Sequence, residues 1–405
     1  MKRTLLLTTL LGSAAVAGAY KLPEQSLNSM ALGAAYVAHT TEADTAYFNP
    51  ANMAFMGDKQ YFDGALTLIH LPSTTYTLIE PYSGESEEEN IVTPTMHYVS
   101  NPIGNWRWGV SMTVPGGLTK RWDTAYQKLY AEEFTLKNVE LNPVFSYKVN
   151  EKFAVGGGIR VVYSEGVVKS DGGDIAPLKR HMEGDTLEFG YNLAMTYRPT
   201  DDINIAVTYR SNIDLKEEGE ANIWFGDVGK QYSADVTVPL PAALNIAISK
   251  TWDETFTLEF NYERTYWSSY KYLDFNYGEP LANDLLVEKF DDPIDKHWKD
   301  TNTFRIGATM VLNKITFMMG FALDETPVPD KTIGFELPDS DAKIFSMGFR
   351  YQQTEALSWG AAFLWDSKES RSLTPGVAEN EVLSYGGSFD GGGAYLTTVG
   401  ISYAF

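Results

Sequence analysis

The sequence predicts an all-β fold: an antiparallel transmembrane β-barrel of about 14 strands, with an N-terminal segment plugging its lumen. Three observations carry that expectation. From about residue 60 onward apolar residues recur with period 2, the mark of strands with one apolar and one wet face. In FTLEFNY, Phe256, Leu258, Phe260 and Tyr262 share one face, while Thr257, Glu259 and Asn261 occupy the other. In the second observation, the connections between such runs alternate between short and long, as periplasmic turns and extracellular loops do. A soluble sandwich also alternates along its strands, but nothing in its packing sorts loops by length. The third is composition: the 405-residue chain has no cysteine, yet it carries 24 Tyr, 21 Phe, 9 Trp and 34 Gly. A secreted chain without disulfides must be held together by something else, and aromatic and glycine richness suits a β-protein whose apolar and polar residues alternate.

The elements follow in chain order. MKRTLLLTTLLGSAAVAGAY places Lys2 and Arg3 before a short apolar run closed by Ala17, Gly18 and Ala19, so residues 1–19 read as a secretory signal peptide cleaved after Ala19 or Ala17. Residues 20–59 form the only segment outside the strands large enough to plug a barrel. Within it SLNSMALGAAYV (residues 26–37) suggests a short helix, and the Asn-Pro of TAYFNPANMAF a turn, because proline lacks an N–H and restricts the residue before it. Residues 60–405 form the barrel. Period-2 runs place strands at 60–72, 91–100, 105–118, 132–148, 152–168, 184–199, 202–216, 230–249, 253–267, 300–312, 314–324, 341–353, 357–368 and 394–405. Short turns fall at NPIG (101–104), VNE (149–151), PTDD (199–202), TWDE (251–254), Asn313-Lys314 and TEA (354–356). Long loops fall at 73–90, 119–131, 169–183, 217–229, 268–299, 325–340 and 369–393. The even strand count suits a single-chain bacterial outer-membrane barrel, and the terminal Tyr403-Ala404-Phe405 resembles the aromatic signal read by the barrel-assembly machinery.

Composition also excludes. The formal net charge of −21 repels nucleic acid, so a phosphate-binding role is not expected. An acidic outer surface remains compatible with lipopolysaccharide and its divalent cations. His39, His70, His97, His181 and His297 lack ligand spacing, and no Gly-x-Ser-x-Gly, His-Glu-x-x-His or phosphate loop is present. The expectation is a protein that is not an enzyme, with no cofactor, no metal and a monomeric state.

One long stretch, KLPEQSLNSMALGAAYVAHTTEADTAYFNPANMAF, resembles the N-terminal hatch of the FadL family, the outer-membrane transporters of long-chain fatty acids and, in relatives, of toluene and similar hydrocarbons. VPGGL (114–118), LPAALNIAISKTWDETFTLEFNYERTYWSSY (240–270) and the Asp-Thr, Pro-Val-Pro-Asp and Leu-Pro-Asp series within residues 299–351 fit the same family in the same order. The resemblance implies a Gram-negative outer-membrane transporter that takes a hydrophobic small molecule from the outside into a plugged barrel and releases it sideways into the membrane. Lateral release spares an acyl chain about 0.8 kcal/mol of water exposure per CH₂. A passive porin and a structural or adhesive barrel are the alternatives.

The resemblance assigns roles to residues. Asn49, Pro50 and Ala51 become the tip of the hatch, expected against the wall near the lateral gap; Phe48, Met53 and Phe55 either line the apolar pocket or anchor the plug. Pro115, Gly116 and Gly117 become the gap in the third strand, since proline removes a ladder donor and glycines permit a bulge. The bland reading is that this strand ends at Val114. A fatty acid carboxylate needs a cation, for which Arg160, Arg210 and Arg305 are the lumen-facing candidates; the competing reading pairs each with a lumen glutamate such as Glu188, Glu259 or Glu263. Trp122, Tyr126, Leu129, Tyr130, Trp224, Phe225, Trp267 and Tyr270 are expected to form the capture surface, although membrane girdles use the same residue types.

Overall fold

The computed structural model describes residues 18–405. The signal-peptide reading therefore lies, up to Ala17, outside the described residues. Fourteen strands close into one antiparallel barrel. They are β1 (Tyr61–Leu71), β2 (Glu89–Val99), β3 (Trp106–Thr113, resumed as Gly117–Arg121), β4 (Glu133–Asn150), β5 (Phe153–Asp171), β6 (Leu178–Thr200) and β7 (Ile203–Arg210, resumed as Ile213–Phe225). The circuit continues through β8 (Val228–Leu240, resumed as Ala243–Trp252), β9 (Phe256–Thr265), β10 (Thr301–Leu312), β11 (Ile315–Asp324), β12 (Ala342–Gln352), β13 (Leu357–Lys368) and β14 (Ala394–Ala404). Pairing of β1 with β14, from Tyr61↔Ala404 to His70↔Tyr395, leaves no free edge.

The lipid band is legible strand by strand. On β6 the outward Leu187, Phe189, Tyr191, Leu193, Met195 and Tyr197 are exposed, Phe189 at 63 %, while the inward Asn192, Ala194 and Thr196 are buried against the plug. Farther out along β6 the polarity inverts: Lys179 and Glu183 face out, while Leu178 and Met182 face in. The same inversion on β7 and β8 puts Leu215, Ala221, Ile223, Tyr232, Ala234 and Val236 inside. Above the membrane the wall is thus a soluble-type barrel with an apolar interior.

That inversion corrects two expectations. Residues 169–183 and 217–229 are not long loops, because β5 to β8 continue through them and turn back over residues 172–177 and over Gly226 and Asp227. Period 2 persists there, but an outer face without apolar residues carries no membrane signature. The remaining long connections hold small elements: helix α3 (Ala125–Ala131) after β3, helix α4 (Asp284–Phe290) after β9, and a four-stranded sheet in which Thr74–Thr77 joins Gly387–Gly391.

Residues 18–60 occupy the lumen. Helix α1 (Leu27–Ala31) is capped by Ser26, whose hydroxyl accepts from the Ser29 N–H. It is shorter than the helix expected over 26–37, because Gly33 and Ala34 adopt positive φ and end it. Helix α2 (Thr45–Phe48) leads into a 3-10 turn, Pro50–Phe55. Wall and plug share polar bonds: Arg350 donates to Asn28 and pairs with Asp63 at 3.1 Å. Arg107 gives its guanidinium to the carbonyls of Ser100, Met53, Met56, Gly57 and Lys59.

One contact has a measurable consequence. The Glu259 carboxylate on β9 accepts three plug N–H groups, from Val37 at 2.6 Å, Ala38 at 2.9 Å and His39 at 2.8 Å. Removing the acceptor leaves three N–H groups unsatisfied at about 1–3 kcal/mol each. Glu259→Ala is expected to raise ion conductance in planar bilayers severalfold, with Glu259→Gln between it and the parent; parental conductance in Glu259→Ala would mean these bonds do not hold the plug.

Candidate functional site

The apolar interior above the plug encloses a cavity with an empty volume of about 690 Å³. Leu118, Phe134, Leu136, Val236, Leu273 and Phe275 form its apolar wall. Tyr20, at the start of the described plug, lies edge-on to Trp267 at 4.8 Å and also lines the cavity. Its hydroxyl donates to the Pro239 carbonyl at 2.5 Å. Burial first, then the nearby carboxylate of Glu336, pushes the Tyr270 phenol well up, so it stays protonated.

A second, larger cavity of about 1380 Å³ opens outward from the first and shares Phe134, Leu273, Lys296 and Glu336 with it. Lys296 and Glu336 form an ion pair at the junction. Arg180 lines the outer cavity with a buried guanidinium stacked 4.2 Å from the Phe275 ring centroid and 4.9 Å from that of Phe290. The Tyr277 phenol lies beside it. Its Nε and Nη1 have no hydrogen-bond partner, and among the described residues no carboxylate forms an ion pair with it. A desolvated guanidinium with donors to spare is an acceptor's site, above all a carboxylate's.

Below the inner cavity β3 breaks. Its pairing with β2 covers only Met96↔Met112 to Val99↔Gly109. Across β4 the register runs from Thr113↔Glu140 to Gly117↔Lys137, so β3 carries one extra residue, a bulge. The strand therefore does not end at Val114. The plug fills the break's inner side: Leu22 N–H donates to the Pro115 carbonyl at 2.9 Å, and Gly117 N–H to the Tyr20 carbonyl at 2.8 Å. The Gln25 amide grips Val114 twice, donating to its carbonyl at 2.7 Å and accepting from its N–H at 2.8 Å. A Cβ on Gly116 would stand 2.8 Å from the Tyr20 carbonyl oxygen, so only glycine admits this approach. Inner cavity, Tyr20 and break are contiguous.

The expected residues divide accordingly. Pro115, Gly116 and Gly117 sit at the break. Asn49, Pro50 and Ala51 are buried elsewhere: Asn49 Nδ2 donates to the Val37 carbonyl at 2.8 Å and Thr196 Oγ1 at 2.9 Å, and Pro50 and Ala51 press against Gly156 of β5. The expectation that this tip meets the gap is corrected; residues 20–25 meet it. Phe48 packs with Tyr36 and Tyr47, Met53 with Ala43, Ala46 and Val144, and Phe55 lies under Arg198, and none of the three lines either of these two cavities.

Arg160 and Arg210 share Glu140, the first at 2.9 Å, and Arg305 pairs with Glu263 at 3.3 Å. All three face inward as expected, yet none lines either cavity. Of the aromatic set, Leu129 and Tyr130 line the outer cavity, Tyr270 lines the inner one, and Trp267 backs Tyr20. Trp122 is buried, donating to the Phe335 carbonyl at 2.8 Å; Tyr126 stacks on Tyr82; Trp224 and Phe225 sit at the β7–β8 hairpin tip. Arg180, Lys296 and Trp298 escaped sequence reading because they fall in stretches assigned to loops.

A fourteen-stranded, plugged barrel with a lipid-facing apolar band and an apolar cavity above the plug defines an outer-membrane transport protein for hydrophobic compounds. Residues 8–405 match the family described as Outer membrane protein transport protein (OMPP1/FadL/TodX), and the chain belongs to that family. It is 24 % identical to a long-chain fatty acid transport protein of Escherichia coli O6:H1, over 98 % of this chain and 96 % of the relative. The fold is shared with a Pseudomonas aeruginosa FadL homologue, with a TM-score of 0.79 at 19 % identity over 95 % of this chain and 99 % of that one. It is shared too with the Ralstonia pickettii toluene transporter TbuX, with a TM-score of 0.71 at 16 % identity over 94 % and 98 % of the two chains. Members of the family are transport channels, not enzymes, of the Gram-negative outer membrane.

Proposed function

We propose that this protein takes up long-chain fatty acids or similar amphiphiles, capturing them in the outer cavity, seating them in the inner one and releasing them sideways through the break in β3. The observation that carries this reading is the continuity from Arg180, past Lys296 and Glu336, through the apolar cavity to Tyr20 and Val114. Arg180 receives the carboxylate; the tail, gaining about 0.8 kcal/mol per buried CH₂, fills the apolar chamber. The chamber's lining, mostly apolar with a few polar groups, is of the kind found in small-molecule sites. Movement of residues 20–25 away from the break then opens the wall, while the Asn49-Pro50-Ala51 turn keeps the rest of the plug seated. Because the plug backbone is packed against the wall throughout, a passive porin is disfavoured.

The test is extraction in mild detergent followed by mass spectrometry of co-purified lipid, together with liposome swelling in small sugars. Bound fatty acid at about one per chain with no sugar flux is the expected result. Rapid sugar flux through the intact protein would overturn the reading.

A further inference from the structure

The wall is interrupted in a second place. Pairing between β6 and β7 stops at Asn192↔Arg210 and resumes only at Asp185↔Glu218. Residues 186–191 and 211–217 face each other across this stretch without a ladder; at its lower end Ser211 exchanges two bonds with Tyr191, each 2.9 Å. Both strands stay paired on their far sides, β6 with β5 and β7 with β8. The result is a split between two intact hairpins. It lies at the outer border of the lipid band, with exposed Leu187 and Phe189 on one lip and Asn212, Asp214 and Lys216 on the other.

Side chains alone close the split from within. Ile213 occupies the space a Cβ on Gly190 would take, 2.7 Å from its Cγ1 and Cδ1. Glu217 lies across Gly166 of β5, and Glu217, Gly166 and Gly184 line the inner cavity. At the β3 break the plug supplies the missing partners; here, among the described residues, the plug makes no such bonds. Glu217 is 1 % exposed, and among the described residues no cation pairs with its carboxylate. Ser164 is the donor beside it, and Asp185, Glu165 and Glu188 are the charges around it. Arg160 and Arg210, on the strands below the split, are held by Glu140. This opening therefore disfavours a carboxylate and suits a head group that is neutral and can donate a hydrogen bond.

We propose that the β6–β7 split is a side entrance, gated by Ile213, through which neutral long-chain amphiphiles such as fatty alcohols pass from the outer leaflet into the inner cavity. This rests on the reading of that cavity as part of the transport path. The chain has no cysteine, so a Gly190→Cys/Ile213→Cys pair can lock the split with the only thiols present. The full barrel is reconstituted in vesicles containing a diazirine-bearing long-chain alcohol, irradiated, and its cavity peptides are analysed by mass spectrometry. Oxidation is expected to lower labelling around Glu217 and Leu273 at least threefold, and reductant to restore it. Ile213→Ala, which needs no crosslink, is expected to raise the labelling rate at least twofold. Equal labelling of locked and reduced forms, or no gain in Ile213→Ala, overturns the side entrance while leaving the cavity's role intact. A parent whose cavity takes no label at all overturns the cavity reading and the entrance with it.

Discussion

Replacing Arg180 by leucine is expected to abolish the preference for a free fatty acid over its methyl ester while leaving ester binding within about twofold. The parent guanidinium is desolvated between Phe275 and Phe290, beside the Tyr277 phenol, and its Nε and Nη1 lack partners, so a carboxylate arriving there meets free donors. A charge-assisted bond of this kind contributes about 1.5–3 kcal/mol. At about 1.4 kcal/mol per tenfold, the acid should lose roughly 10- to 150-fold in affinity. Leucine keeps apolar bulk between the two rings, which separates loss of charge from loss of packing. Titration of both ligands by intrinsic fluorescence checks it; an acid affinity unchanged in Arg180→Leu would place the head group elsewhere, Lys296 being the next cation along the path. Arg160, Arg210 and Arg305 serve as controls, since each already has a carboxylate partner. Arg160 and Arg210 share Glu140, and Arg305 shares Glu263 with Lys21, so each glutamate keeps one cation when a single arginine is removed. Only removing both cations would strand it, a folding defect worth about 3–5 kcal/mol.

The strands within the lipid band were legible because lipid outside and water or plug inside enforce one polarity along the whole span, as in residues 187–197 of β6. The hatch was legible through resemblance and through elimination, since residues 20–59 had no other place to go. The break at Pro115-Gly116-Gly117 was legible through the resemblance, residue type alone leaving a strand that ends at Val114 as the competing reading. What sequence hid were features that depend on phase and on register. Arg180 sits on a strand extension whose outer face is polar, so it passed for loop. Lys296 lies in an irregular connection and reaches the cavity only through the packing of residues around it. The pairing of Glu140 with two arginines joins β4, β5 and β7, and no spacing rule links those positions. The β6–β7 split contains no proline at all; it arises because β7 runs one residue ahead of β6 between the two paired stretches, a register offset that only coordinates reveal.

Two substitutions at the β3 break are expected to move uptake in opposite directions. Gly116→Val places a branched side chain where a Cβ already meets the Tyr20 carbonyl oxygen at 2.8 Å and Leu240 Cδ1 at 3.2 Å. Overpacking of this sort costs about 1–3 kcal/mol. Withdrawal of residues 20–25 relieves the Tyr20 clash but not the one with Leu240 of the wall, so the added side chain narrows the open passage between inner cavity and membrane. Uptake should fall at least tenfold while capture at Arg180, some distance up the path, stays near the parental level. Gln25→Ala acts on the other side of the same contact. The Gln25 amide imitates a strand neighbour for Val114, satisfying both its N–H and its carbonyl. Without it those two groups lose their partners in the closed form, at about 1–3 kcal/mol each, whereas an open form in which residues 20–25 have withdrawn has already lost them. The substitution therefore destabilises closed relative to open, and the release step should quicken. A radiolabelled fatty acid uptake assay with a parallel binding titration distinguishes the two effects. If both variants transported at the parental rate, the break would be a structural bulge, and release would have to proceed through the plug or through the β6–β7 split.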